Sequence, residues 1–401
     1  MMPPSPPTAA ELGRWALALG FDLAAVAGVE PIEHGAALIR WLERGDHAGM
    51  DYMADQVEER LEPARVLEGA RSVLCVALRY HPLEGEAEPT GDLWPKVARY
   101  ARGRDYHNKM GKLLRKLARR IREEIPGCET RTYVDTGPVL ERALAVRAGL
   151  GATGKNTCLL TRNGSYLFLG EIFLTAELSP TEPAPMAGGE LVTDLCGRCT
   201  LCLEACPTDA LPEPYRLDAN RCIAYWTIEH RGAVPRELRP DIGEWVFGCD
   251  ICQEVCPWNR RRTEPAAHED LRLAKTRAGL DLVGLLLLGA NEYSERFNGS
   301  AMQRARREGL QRNAATAMGN RRDERYVPAL TSALEAEDGH ESVRCHAAWA
   351  LGRIGGRAAE AALEGALAAS AAGQGEGDTL AAELRWALEE VRGRTAGDSA
   401  P

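Results

Sequence analysis

Cys196-Gly-Arg-Cys199-Thr-Leu-Cys202-Leu-Glu-Ala-Cys206-Pro207 is the stretch that decides how this chain is organised. Cysteines separated by only two or three residues do not readily reach disulfide geometry with one another, so the thiols read as ligands. The spacing C-x2-C-x2-C-x3-C-P puts three thiolates on corners of one iron–sulfur cubane, while the fourth, followed by proline, reaches a second cluster. An altered copy follows at Cys249-Asp-Ile-Cys252-Gln-Glu-Val-Cys256-Pro257. Its first position would be Val246, which cannot ligate, and Cys222 between the copies is the natural replacement. Cys196, Cys199, Cys202 and Cys256 are therefore expected to hold one [4Fe-4S] cluster, and Cys206, Cys222, Cys249 and Cys252 the other. Structural zinc also takes four cysteines, but the Cys-Pro endings and crossed symmetry favour iron and sulfide.

This insert of bacterial ferredoxin-like pattern, 186–262, sits inside a chain of 401 residues, long enough for two to three domains. Apolar residues make up 45%, which excludes wholesale disorder. Of the twelve cysteines, Cys75, Cys128, Cys158 and Cys345 receive no role; Cys75 lies in an apolar run and reads as core packing. Met1–Ala10 has no basic segment followed by an apolar one, and the apolar run near Leu282–Ala290 is too short to span a membrane. The expectation is a cytoplasmic protein with reduced thiols and no membrane partner.

Upstream, residues 1–185 are expected to form an α+β or α/β domain, with helical and strand patterns alternating over 10–180. Glu11–Leu19 reads as helix and Asp22–Val29 as strand. Ser72–Arg79 is an apolar, β-branched run suited to a buried strand. Met110, Leu113, Leu114, Leu117 and Ile121 mark one face of an amphipathic helix. Thr130–Asp135 looks like a strand ending in the Thr136-Gly-Pro138 turn, followed by a helix through Ala148, and Tyr166–Thr175 suggests a strand pair. Downstream, 263–401 is a helical segment that becomes Ala-rich and repeats after roughly residue 300. Asn313–Gly319 matches His346–Gly352, and Pro328–Leu334 matches Ala361–Leu367, both at an offset of 33. Paired helices at that period indicate a short all-α, HEAT-like solenoid.

Two clusters make an electron wire that needs an acceptor, and 1–185 is the obvious place for it. That segment has no G-x-G-x-x-G fingerprint, no P-loop and no D-x-H-x-x-G pattern of cobalamin proteins that ligate cobalt by His: Asp105-Tyr-His107 begins it, but Met stands at 110.

Several segments resemble the epoxyqueuosine reductase family: Gly49-Met-Asp-Tyr-Met53 with Arg60 and Pro63, Gly103-Arg-Asp-Tyr-His107, and Tyr133-Val-Asp-Thr-Gly137. So do Gly149-Leu-Gly151 with Gly154-Lys-Asn-Thr157, Gly164-Ser165 with Leu169-Gly-Glu171, and Val255-Cys-Pro-Trp-Asn259. The resemblance spans nearly the whole chain. It implies a cobalamin without a His ligand and reduction of epoxyqueuosine to queuosine at the tRNA wobble position, with electrons from a reduced donor. Asp135 matches the family's proton donor. Arg60, Asp135, Leu159, Leu169 and Asp250 fall where the family contacts cobalamin, with Lys155, Asn156 and Thr157 in the adjoining loop. Ala152-Thr153 and Ala224 depart from the common pattern. The protein is expected to act as a monomer.

The net charge of −9 argues against a nucleic-acid partner at face value, but it averages unlike regions. Residues 99–122 carry ten basic side chains against one acidic, 296–325 carry eight against three, and Arg260-Arg-Arg262 follows the last ligand. Such runs suit phosphate contacts. The rival expectations are a related corrinoid reductase acting on a small molecule and a non-catalytic two-cluster electron carrier.

Overall fold

The computed structural model describes residues 7–81, 95–181, 194–260, 268–271, 281–371 and 379–397. The chain divides into two compact units built from separated stretches: 1–86, 102–220 and 250–274 form the first, and 87–101, 221–249 and 275–401 the second. The cysteine-rich stretch therefore contributes to both units.

The first unit is organised by a four-stranded sheet in the order Leu23–Gly28, Ser72–Arg79, Leu167–Leu174, Thr130–Tyr133, antiparallel at every pairing. That settles the α+β alternative. Ser72–Arg79 is buried along all but its last residue, as its unbroken apolar run requires. The expected pair at Tyr166–Thr175 is instead one strand, Leu167–Leu174, hydrogen-bonded on both edges. Gly170, in the middle of this strand, is where a helix packs: a Cβ there would meet Met110 Cε at 3.0 Å and Leu114 Cδ1 at 3.1 Å.

That helix is Tyr106–Glu124, and Met110, Leu113, Leu114, Leu117 and Ile121 are all buried on it. Burial of each such side chain is worth roughly 1.5–3 kcal/mol. Asp105 caps it by accepting the His107 N–H at 3.0 Å. The first helix, Ala9–Ala18, begins in a capping box: Thr8 accepts the Glu11 N–H while the Glu11 carboxylate accepts the Thr8 N–H.

The second unit carries the helical repeat, in the helices Arg306–Arg321, Val327–Glu335, Glu341–Ile354, Arg357–Ala371 and Thr379–Gly397. The repeated glycine has a packing cause. A Cβ on Gly319 would stand 2.6 Å from the Trp349 ring and 2.9 Å from Ala350 Cα, and one on Gly352 would stand 2.8 Å from Ala387. Each marks the close approach of one repeat helix to the next. Arg312 is fully buried, donating to the carbonyls of Trp226, His230 and Gly232 and to Asn313 Oδ1. Among the described residues no helix is long and apolar enough to cross a membrane.

Candidate active site

Cys196, Cys199, Cys202 and Cys256, the four residues expected to share one cluster, line a single cavity of about 270 Å³ in the first unit, with Lys155, Asn156, Leu160 and Trp258 on its wall. Local contacts shape the ligand loop. Asp194 accepts the N–H groups of Cys196 at 2.9 Å and Gly197 at 3.0 Å, and the Trp258 indole donates to Leu195 O at 3.0 Å. Lys155 Nζ donates to Gly197 O at 2.6 Å and Cys199 O at 3.0 Å, and its own N–H points at Cys196 Sγ from 3.4 Å. N–H donors to cluster sulfur are one way a protein sets a cluster's potential.

The donor set suits a cationic group. Burial, then the neighbouring Cys196, holds the Cys202 thiol up to about 11, and burial also raises Cys256. Four thiolates so close are unfavourable until iron compensates their charge. Among the described residues no three His, Cys, Asp or Glu side chains are grouped to hold one metal ion, whereas four thiols around a cavity suit a cubane.

Of the other four expected ligands, Cys206 and Cys252 lie in the first unit and Cys222 and Cys249 in the second. Cys206 Sγ accepts the Ala210 N–H at 3.3 Å. In the second unit Gly248, next to Cys249, donates to Thr227 Oγ1 at 2.9 Å, and Thr227 Oγ1 donates to Ile223 O at 2.7 Å. Cys75, Cys128 and Cys345 are buried. Cys158, also given no role, is not remote: its thiol is lowered by a hydrogen bond with Cys252.

The residues expected near cobalamin divide by position. Asn156 donates to Cys252 O at 3.2 Å, and Thr157 has a left-handed backbone with φ 66°. Leu159 and Asp250 are buried, and Leu169 lies on the central sheet opposite Ala77. Arg60 is buried and donates to the carbonyls of Asp55 and Tyr52, while Glu58 and Glu62 pair with Arg65 instead. Ser165, Gln253 and Asn259 form a network: Asn259 Oδ1 accepts the Ser165 N–H at 2.7 Å and its Nδ2 donates to Gln253 O at 2.8 Å.

Asp135 leaves the sheet edge after Tyr133 with φ 59°, a conformation L-residues seldom adopt. Its side chain is exposed, and His107 Nε2 lies 3.2 Å from Asp135 Oδ2. The other ring nitrogen, Nδ1, is 2.7 Å from Asp105 Oδ1. Burial pulls the His107 pKa down, but hydrogen bonds to Asp105 and Asp135 outweigh it and hold the ring up to about 9. At neutral pH the ring is an imidazolium, with Nδ1 facing Asp105 and Nε2 facing Asp135. Both ring nitrogens of His107 are thus engaged by aspartates. Tyr106 beside it stacks on Phe168, ring centroids 4.1 Å apart at 6°.

Beneath this pair lie two acids that sequence reasoning missed. Glu141 Oε1 accepts the Asp135 N–H at 2.6 Å. Glu171, on the strand Leu167–Leu174 opposite Tyr133, is fully buried, and among the described residues its carboxyl pairs with no group but the Glu141 side chain. Burial raises both, Glu171 well above the carboxylate range and Glu141 to about 7. The signal was available: a carboxylate inside an otherwise apolar strand.

The basic runs fare differently. On the helix Tyr106–Glu124, Lys112, Arg115, Lys116 and Arg119 are exposed off the apolar face. In the run 296–325, by contrast, Arg304 pairs with Glu229, Arg321 with Glu244 and Arg325 with Asp323, and Arg312 is buried. That run is largely neutralised and is no free phosphate stripe. Arg261 and Arg262 lie outside the described residues.

Comparison with known proteins agrees with this layout. A family model described as epoxyqueuosine reductase QueG, DUF1730, matches residues 60–136; one for a 4Fe-4S double cluster binding domain matches 195–259; one for HEAT repeats matches 298–375. The epoxyqueuosine reductase of Pseudomonas aeruginosa is 44% identical over 360 residues, covering 88% of this chain and 97% of that protein. That of Escherichia coli is 37% identical, covering 86% and 88%. A solved epoxyqueuosine reductase with an epoxyqueuosine-modified tRNA-Tyr stem loop superposes with a TM-score of 0.85 at 30% identity, covering 96% of this chain and 98% of that one. Another, from Bacillus subtilis with its catalytic aspartate loop swung out of the active site, gives 0.84 at 29%, covering 95% and 98%. With its iron–sulfur region, helical repeat and near-complete coverage by these relatives, the chain belongs to the epoxyqueuosine reductase family of oxidoreductases.

Proposed function

We propose that this protein reduces the epoxide of epoxyqueuosine to the alkene of queuosine at the wobble position of a tRNA anticodon, in the cytoplasm and as a monomer. The overall change takes two electrons and two protons and releases the epoxide oxygen as water. Cys196, Cys199, Cys202 and Cys256 hold one [4Fe-4S] cluster, and Cys206, Cys222, Cys249 and Cys252 the second, relaying single electrons from an external reduced donor. Arg60, Asp135, Lys155–Thr157, Leu159, Leu169 and Asp250 would hold a cobalamin, which would supply a low-valent cobalt reductant.

The chain's own part is the proton. An epoxide oxygen is a poor leaving group unless it is protonated as its bond breaks. Asp135 delivers that proton, and the His107 imidazolium, 3.2 Å from Asp135 Oδ2, replaces it. Asp105 fixes the ring and keeps it charged. This acid dyad on an exposed, left-handed loop is the observation that carries the reading. The Bacillus subtilis relative, with its catalytic aspartate loop swung out, supports a loop that moves, and here that loop is the Asp135 segment.

Asp135→Asn tests the reading. Turnover of an epoxyqueuosine-containing stem loop falls at least about 100-fold, with iron content and stem-loop binding unchanged. Normal turnover overturns it.

A further inference from the structure

We propose that Glu141 and Glu171 form a proton-sharing carboxyl pair that latches the Asp135 loop in place, with Glu141 as a positioning residue for the proton donor. The inference rests on the proposed role of Asp135 and adds what holds that residue where it acts.

The geometry is specific. Val134 to Val139 cross from the sheet edge to the helix Glu141–Arg147, and Asp135 takes its left-handed turn on the way. Its N–H is held from within by Glu141 Oε1 at 2.6 Å, a contact expected only of a strong acceptor. Glu171 stands on the adjacent strand, in register with Tyr133 two residues before Asp135. A buried carboxylate with no donor is costly, so Glu171 keeps its proton and shares it with the Glu141 carboxyl that its side chain pairs with. Two neighbouring acids in one low-dielectric site do not both ionise; they share a proton.

The groups facing the pair change little around neutrality. His107, at the start of Tyr106–Glu124 and bonded to Asp135, stays charged up to about 9. Arg142, next to Glu141 on its helix, pulls it down by its charge, and Arg147 further along acts on Cys75. Cys75, opposite Glu171 in the sheet, is pushed well up by burial and stays a thiol. Tyr133, opposite Glu171 on its other edge, is also raised. Asp105 is committed to His107 and Asp135 to the dyad. Glu141, raised to about 7, is therefore the member of the pair that changes charge there. Above that pH it is anionic and grips the Asp135 N–H; below it, a neutral carboxyl accepts more weakly and the loop loosens.

Hydrogen exchange of the segment 133–140 in the cluster-loaded protein, corrected for the intrinsic effect of pH, reads the latch without turnover. Wild-type protection rises about fivefold between pH 6 and pH 8, the difference between a neutral and an ionised acceptor. In Glu141→Gln, protection is independent of pH and stays at the low-pH level. In Glu171→Gln, whose amide donates to Glu141 and cannot ionise, the midpoint shifts below the wild-type one. Should that core variant fail to fold, Glu141→Gln decides alone. Flat wild-type protection, or a Glu141→Gln profile like wild type, overturns the latch. Loss of turnover in Asp135→Asn alongside flat protection leaves the proton donor standing and removes only the latch; retained turnover alongside the pH-dependent rise removes the donor and leaves the latch.

Discussion

Asp105→Asn isolates the charge that keeps His107 protonated. Asparagine is as good an N-cap as aspartate, so the Tyr106–Glu124 helix keeps its start and only the charge is lost. His107 is held up from 6.5 to about 9. Taken whole, that is about 3 kcal/mol in favour of the imidazolium. The ring is 33% exposed, so solvent screening reduces the usable part to roughly 2 kcal/mol. Asp105, at 2.7 Å against 3.2 Å for Asp135, supplies the larger share, about 1 kcal/mol or more. Its removal therefore brings the His107 pKa down by roughly one unit. The sign follows from the raised value: the stabilisation is fully present below about 6.5 and is lost as pH rises through about 9. In Asp105→Asn the loss comes at lower pH. The assay is the pH profile of stem-loop turnover, paired with titration of carbon-13-labelled histidine. The alkaline limb of the profile should move down by about one unit, with turnover at pH 6 nearly unchanged. A folded variant whose alkaline limb and His107 titration both match wild type would refute the dyad.

Three further outcomes follow from other parts of the molecule. Cys256→Ser should leave roughly half the wild-type iron and sulfide after anaerobic preparation, since one cluster loses a ligand; full retention would reject the ligand grouping. Gly319→Ala gains about 1 kcal/mol of helix propensity, but its Cβ meets the Trp349 ring at 2.6 Å, an overpacking cost of about 1–3 kcal/mol. The net result in urea denaturation should be neutral to destabilising, and clear stabilisation would contradict the close approach. Reversing Lys112, Arg115 and Lys116 to Glu should weaken stem-loop binding at least about tenfold at low salt and flatten its salt dependence. Unchanged binding would move the RNA contact off this helix.

The cysteine spacing was readable in the chain because ligands three and four residues apart are constrained by local backbone geometry. So was the buried face of Tyr106–Glu124, because a helix repeats every 3.6 residues whatever surrounds it. The solenoid declared itself through an offset of 33, and the structure supplied its cause in the crowding at Gly319 and Gly352. Net charge was a poor guide. The run 296–325 looked as basic as 99–122, yet its arginines are largely spent on Glu229, Glu244, Asp323 and buried carbonyls.

What this sequence determined alone was therefore the periodic and the closely spaced: the cysteine spacing of an iron–sulfur domain, helix faces, the apolar strand Ser72–Arg79 and the repeat. Only the tertiary structure decided the acid site, because its members are far apart in sequence. His107 meets Asp135 across 28 residues, and Glu171 lies behind the Asp135 loop through sheet register with Tyr133. No local pattern encodes such a meeting. It exists because the sheet and the Tyr106–Glu124 helix bring three segments together, and low dielectric then assigns each acid its proton.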